Sequence, residues 1–288
     1  MIHYQNNRNY LAGVVILYNP TLDVINNIKS YIDPLEHLYI IDNSETTNDW
    51  IEQSFFRISK VEYINNQENQ GVAKALNITA EKAIEAGYKY LLTMDQDSSF
   101  KEGSLEELLS DIGDDNAGIY SPFHKNKFYT NPPTHNGLEV VSDVMTSGNI
   151  INLIAIKQVG YFKEDYFIDY VDIEYCMRLR TNGFKVIRNN DSILIHNEAN
   201  LEREKIFGKT VYPPNHSATR WYYKIRNYLY LKKKYIKDFP DYFEVENLNI
   251  RNNMIKVLLF EKYKFAKFHM MLKGLIHYYR NIKGKMPV

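Results

Sequence analysis

Four residues able to carry ion or proton chemistry stand where the chain turns from apolar to polar. Asp95-Gln96-Asp97 follows the apolar run Tyr90-Leu91-Leu92-Thr93-Met94, so two carboxylates emerge together at a strand end. Hard oxygen donors at that spacing suit a small divalent cation held against a diphosphate, although a solvated acidic turn has the same composition. From Phe167 to Arg178 aromatic and β-branched residues bury the chain, while Asp169, Asp172 and Glu174 interrupt them. A polar group in such a setting needs a partner or a task. Asp172 can cap the helix that follows, with Glu174 favouring its dipole and Arg178 pairing four residues on. The same carboxylate, facing a cleft from a helix start, can act as general base. His196 closes the strand Ile193-Leu194-Ile195, where it is either a structural histidine or a metal ligand.

Weaker signals surround these four. Asp42 ends the run Tyr39-Ile40-Ile41, placed to accept a hydrogen bond from a nucleotide or to cap a turn. Asn69-Gln70-Gly71-Val72-Ala73 opens a helix through Asn77, whose free backbone N–H groups suit a phosphate or ribose; alone, it is a capped helix. Arg220 and Arg226, in the aromatic stretch Arg220 to Asn227, can reach a phosphate or lie on a solvated helix face.

The elements that must position these residues alternate. Strands are expected at Ala12–Tyr18, Leu38–Asp42, Lys60–Asn65, Tyr88–Met94 and Ala117–Ser121, and helices at Thr21–Ile32, Thr47–Phe56, Gly71–Ala86 and Ser104–Ile112. This is the pattern of βαβ units with a mostly parallel sheet, whose polar strand ends, Asn19-Pro20, Asp42-Asn43, Asn65-Asn66 and Asp95 to Asp97, should converge on one ligand site. Phe123–Asn136 reads as a loop, Asn149–Ile156 as an apolar run, Val171–Asn182 as a helix stopped by Gly183, and Phe184–Arg188 with Ser192–His196 as a strand pair. Aromatic, basic helices follow at Ser217–Lys237 and Asn249–Lys283.

With 288 residues, 44% hydrophobic and 24% charged, the chain is long enough for one large α/β domain or for a core domain with a smaller appendage. Its net charge of zero conceals an asymmetry: residues 1–216 hold 19 Lys+Arg against 30 Asp+Glu, and residues 217–288 hold 16 against 5. An acidic α/β domain, 1–216, and a basic helical region, 217–288, are the expected division, and the acidic body argues against nucleic acid as a partner. The lone Cys176 fits a reducing, cytoplasmic compartment, and the absence of an export signal or an 18-residue apolar run leads us to expect neither secretion nor a membrane span. Lys232-Lys233-Lys234, and the lysines set among Met254, Val257, Leu258, Phe265, Phe268, Met271, Leu272 and Leu275, point to an anionic membrane surface, peripherally bound, or to an apolar face packed on the catalytic domain or on a second subunit in a homodimer.

Taken together, strand-NP, strand-DNS, NQGVAKALN, MDQDS, TSGNIIN, DYVDIEYCMRL and the strand-ending His196 resemble the GT-A glycosyltransferases of family 2, over about residues 10–200. Within them the set is similar to bacterial rhamnosyltransferases and galactofuranosyltransferases. The resemblance implies a GT-A Rossmann-like sheet flanked by helices, a nucleotide-sugar donor, a divalent metal such as Mg²⁺ or Mn²⁺, and inverting transfer to a saccharide or lipid-linked acceptor of a surface polysaccharide. It gives Asp42 the nucleobase, Asp95 the ribose or metal, Asp97 and His196 the metal, and Asp172 the acceptor proton. Asn19, Asn69, Gly71, Asn77 and Arg226 fall on the donor side, and Ser147, Gly148, Asn149 and Glu174 on the acceptor side. Val171-Asp172 stands where the galactofuranosyltransferase pattern has paired aspartates, which favours dTDP-rhamnose as donor over UDP-galactofuranose or another UDP-hexose. Lys74-Ala75 stand where many relatives carry glycines. Two other classes are weighed: a nucleotidyltransferase, against which Tyr18-Asn19-Pro20-Thr21 lacks a glycine-rich basic loop, and a non-catalytic sugar-binding protein.

Overall fold

The computed structural model describes residues 10–126, 133, 135–196, 204–206 and 209–287. It divides into two compact units, Met1–Glu164 with Tyr175–Asn197, and Asp165–Glu174 with Glu198–Val288.

The first unit is built on a nine-stranded mixed sheet. Its N-terminal half is parallel: β3 (Val61–Asn65), β2 (His37–Asp42), β1 (Leu11–Leu17) and β4 (Tyr90–Asp95) lie in that order. All seven residues of β1 are buried, as a parallel strand covered on both faces requires. The connecting helices are α1 (Asp23–Lys29), α2 (Asp49–Phe55) and α3 (Val72–Glu85). Helix α3 begins at Gly71, whose φ of 84° a side chain would resist.

Beyond β4 the sheet turns mixed. A short β5 (Ser98–Phe100) follows the Asp95 turn, then come α4 (Ser104–Ser110), β6 (Ala117–Asn126), β7 (Leu138–Val140) and β8 (Asn149–Asn152). The expected loop from Phe123 starts later, because β6 runs on to Asn126; residues 127–132 and 134 lie outside the described residues. The apolar run Asn149–Ile156 is divided: Asn152 Oδ1 accepts from Ile154 N and starts α5 (Leu153–Val159). After α6 (Val171–Thr181) the expected strand pair is one long strand, β9 (Lys185–His196), pairing parallel to β6 and antiparallel to β5 and β7. It stays continuous through a bulge: Pro122 lies opposite Asn189, and Phe123 opposite Ile193, so residues 190–192 have no counterpart on β6. Asn189 Oδ1 accepts from Asp191 N and Ser192 N, and Ser192 Oγ donates to Ser104 O, which fixes the bulge.

The second unit holds a hairpin, β10 (Glu204–Ile206) with β11 (Lys209–Val211), and helices α7 (Ala218–Tyr235), α8 (Pro240–Phe260) and α9 (Lys264–Tyr279). The long helix expected over 249–283 is instead two, because Tyr263 takes a left-handed φ of 55° between them. The buried pair Lys267–Glu261, 2.5 Å apart, and a bond from Asn215 N to Glu261 Oε1 hold that corner. Helix α9 approaches α7 closely at Gly274, where a Cβ would lie 2.5 Å from Tyr222 O. Among the described residues no helix is long and apolar enough to cross a membrane.

Candidate active site

The parallel strands deliver their polar ends to one edge, as expected of an open α/β sheet. There Asp95, Asp97 and His196 offer ligand atoms all within 4.8 Å of one another, the one group of this kind among the described residues. Asp97 Oδ1 lies 3.6 Å from His196 Nδ1, a separation that an ion with ligand bonds of about 2.0 to 2.6 Å can bridge.

Backbone pairing brings these residues together. Asp97 leads into β5, and β5 pairs with β9 so that Ser98 is opposite His196. Ser98 Oγ is 2.7 Å from the same His196 Nδ1, a bond that holds the imidazole here and that an ion on that nitrogen would replace. The middle residue, Gln96, fixes the turn: its side chain accepts from Tyr18 N at 2.8 Å and donates to Tyr18 O at 3.1 Å, while its carbonyl accepts from Asn27 Nδ2 at 2.8 Å. Beneath the turn Asp95 N donates to Ser147 Oγ, and His124 Nε2 lies 2.7 Å from Ser147 O. Burial, with His196 and Arg188 nearby, lowers the His124 imidazole to about 4 and keeps it neutral. Tyr31 is buried, with a hydroxyl that has no hydrogen-bond partner, and burial together with the Asp95 charge raises it well above its ordinary value. His124 and Tyr31 carried no sequence signal, and Gln96 and Ser98 stood in the MDQDS run without a role of their own, since what each faces is distant in the chain.

Of the residues placed on the donor side, Asp42 is fully buried. Its carboxylate accepts from Ser44 N, Asn48 Nδ2 and Tyr63 Oη, leaving one of its roughly four acceptor positions. Asn19, at a φ of 47°, is exposed, and its N–H donates to Ser44 Oγ. Asn69 Oδ1 accepts from Gly71 N, and Asn43 Nδ2 donates to Gly71 O, tying the start of α3 to the end of β2. Two placements need correction. Asn77 is buried 4% exposed, donating to Phe162 O and Glu164 Oε1 and accepting from Phe162 N, so its amide joins α3 to the 162–164 turn and has no donor left for a nucleotide. Arg226 is fully buried in the second unit, and its five donors go to Asn227 Oδ1, Tyr222 Oη, Gly284 O, Asp165 O and Tyr166 O, leaving none for a diphosphate.

On the expected acceptor side, Ser147, Gly148 and Asn149 are buried beside β4 in the sheet, with Gly148 N donating to Thr93 O and Asn149 Nδ2 to Met145 O. Glu174 is corrected as well: it is fully buried, and its Oε1 accepts from Lys234 Nζ and Tyr235 Oη, an internal ion pair of the second unit. Asp172 is half-buried in the first turn of α6, its Oδ1 accepting from Ile173 N. The residues before it are wound unusually tightly, since Phe167, Asp169 and Tyr170 all take φ between 60° and 64°. Asn227 Nδ2 holds them through Tyr166 O, Ile168 O and Asp169 O, beside the Arg226 bonds. Left-handed non-glycine residues persist only where surroundings over-determine them. Arg220, 3.3 Å from Asp169, pairs within the same unit.

Residues 14–181 match the family model described as Glycosyl transferase family 2. Over 279 residues the chain is 28% identical to the dTDP-rhamnosyl transferase RfbF of Shigella flexneri, covering 91% of this chain and 93% of that protein. Among solved structures it is similar to GalNAc-T7 crystallised with UDP, GalNAc and Mn²⁺, with a TM-score of 0.62 and 13% identity over 97% of this chain and 58% of that one. It is also similar to Staphylococcus aureus TarS 1-349 in complex with UDP-GlcNAc, with a TM-score of 0.53 and 13% identity over 94% of this chain and 73% of that one.

Proposed function

The chain belongs to glycosyltransferase family 2, and from that premise we propose that it moves L-rhamnose from dTDP-rhamnose to a hydroxyl of a saccharide or lipid-linked saccharide in surface polysaccharide synthesis. The observation that carries the reading is the Asp95, Asp97 and His196 cluster at the polar edge of the sheet, in a chain whose similarity to the rhamnosyl transferase spans nearly its whole length.

In this reading Asp97 and His196 hold Mg²⁺ or Mn²⁺, with Asp95 adding a carboxylate to the ion or the ribose. When bound, the ion supplies Lewis-acid charge to the departing diphosphate. Gln96 keeps the turn that carries Asp95 and Asp97 in place. Asp42 takes the nucleobase with its remaining acceptor position, and the backbone around Asn69 and Gly71 lines the donor. Asp172 takes the acceptor proton as the oxygen attacks the anomeric carbon, inverting it with no covalent intermediate. Its role rests on the family resemblance and on its half-buried place at the helix start.

The test is release of nucleoside diphosphate from dTDP-rhamnose, UDP-galactofuranose and UDP-glucose, with Mn²⁺ or Mg²⁺ and with a chelator. Turnover of dTDP-rhamnose alone, abolished by chelation, is expected. Preferential turnover of a UDP-sugar would replace the donor, and turnover that survives chelation would remove the metal.

A further inference from the structure

The second unit presents an apolar face that nothing among its described residues covers. In α9 the buried residues Lys267, Met271, Gly274 and His277 face inward, toward α7. At about 100° per residue, Phe265, Leu272, Ile276 and Tyr279 fall together on the opposite side. All four are exposed, Phe265 at 94%, and Tyr263 at the corner is exposed at 81%. The apolar residues expected to form one stripe therefore separate: Met254, Val257, Phe268 and Met271 pack around Trp221, while Phe265 and Leu272 point out.

Charge decides what this face suits. From Lys262 to Val288 there are seven Lys+Arg and no Asp or Glu. Lys267 is paired with Glu261 and Lys283 with Asp165, whereas Lys273 and Arg280 border the outward stripe at about 70° to 90° from its centre. A second copy docked face to face would set two acid-free helices against each other. An anionic bilayer instead meets the apolar stripe with acyl chains and the bordering cations with headgroups. We infer that the outward face of α9, led by Phe265 and Leu272, is a docking surface for an anionic lipid bilayer. Of the run Lys232-Lys233-Lys234, Lys232 donates to Asn247 Oδ1 and Lys234 pairs with Glu174 Oε1 inside the second unit.

Flotation of the full chain with vesicles of phosphatidylcholine, or of phosphatidylcholine containing phosphatidylglycerol, tests the inference. The assay holds no nucleotide sugar, so its outcome is independent of the transfer reading. Recovery with phosphatidylglycerol vesicles should exceed that with neutral ones about tenfold or more and fall with added salt. Phe265→Ser with Leu272→Ser should abolish it, and Lys273→Gln with Arg280→Gln should abolish the preference for anionic lipid. Both pairs lie on the surface, so an unchanged thermal melt verifies the fold. Equal recovery with both vesicles, or none, overturns the inference. So does a sedimenting dimer that the serine variant dissolves without any vesicle recovery, which would assign the face to a second copy.

Discussion

At the scale of single residues, the site depends on a few groups whose partners are far away in sequence. His196→Ala should leave the fold intact and raise the Mn²⁺ concentration needed for half-maximal turnover about tenfold or more, as loss of one ligand from a small set implies. Asp172→Asn should keep donor binding, because an amide serves a helix start nearly as well, yet lower transfer by about 10² to 10⁴. A loss below about tenfold would remove it from the role of base. Two half-buried histidines set a pH dependence. His216 is lowered to about 2 by burial beside Lys224, Arg220 and Lys267, and His124 to about 4. Both fold as neutral imidazoles with folded values below the unfolded one, so the stability they give is complete above about pH 6.5 and is lost as pH falls below it. Melting temperature should drop between pH 6.5 and 4, and His124→Gln with His216→Gln should flatten that limb. Asp95, Asp97 and His196 were legible as a group because each ends or follows an apolar run where the chain leaves the sheet. Asn77, Arg226 and Glu174 were misplaced because sequence does not show whether a polar side chain reaches solvent or a carbonyl inside.

At the scale of elements, the strand and helix alternation of the first unit was legible because apolar runs and their polar ends report burial directly. The β9 bulge and the corner at Tyr263 were not: each is fixed by side-chain bonds to distant backbone, and Tyr263 adopts a conformation its residue type does not announce. Two elements meet with no space between them at Gly274. A Gly274→Ala substitution should destabilise the protein by about 1 to 3 kcal/mol, read as a lowered denaturation midpoint, because the added carbon meets backbone rather than a movable side chain. The left-handed turn before α6 makes a second case. Asn227→Ala removes three bonds to its carbonyls and should slow transfer more than it weakens donor binding, measured as a fall in kcat with little change in donor KM. An equal effect on both would make the turn a packing feature only.

At the scale of the whole molecule, charge and compactness divide the chain differently. The sign change sets 1–216 against 217–288, whereas compactness gives residues 165–174, with Asp172, to the unit that contains the C-terminal helices. Sequence could not show this, since the segment reads as a continuation of its neighbours and only folded contacts reassign it. Donor added with Mn²⁺ should raise the stability of the first unit by mass action, about 2.7 kcal/mol at a hundred times its dissociation constant. Asp97→Ala should remove that increment, measured by thermal shift with dTDP-rhamnose.

The three unpaired residues of the β9 bulge set how far along its strand His196 arrives. Beyond the bulge the facing of His196 is set by its own pairs, Asn126 on β6 and Ser98 on β5, and not by counting along the strand. Because 190–192 stand outside the alternating ladder, a residue lost or gained there is taken up locally, whereas one lost or gained between 193 and 196 turns His196 to the opposite face and silences the site although no ligand has been replaced.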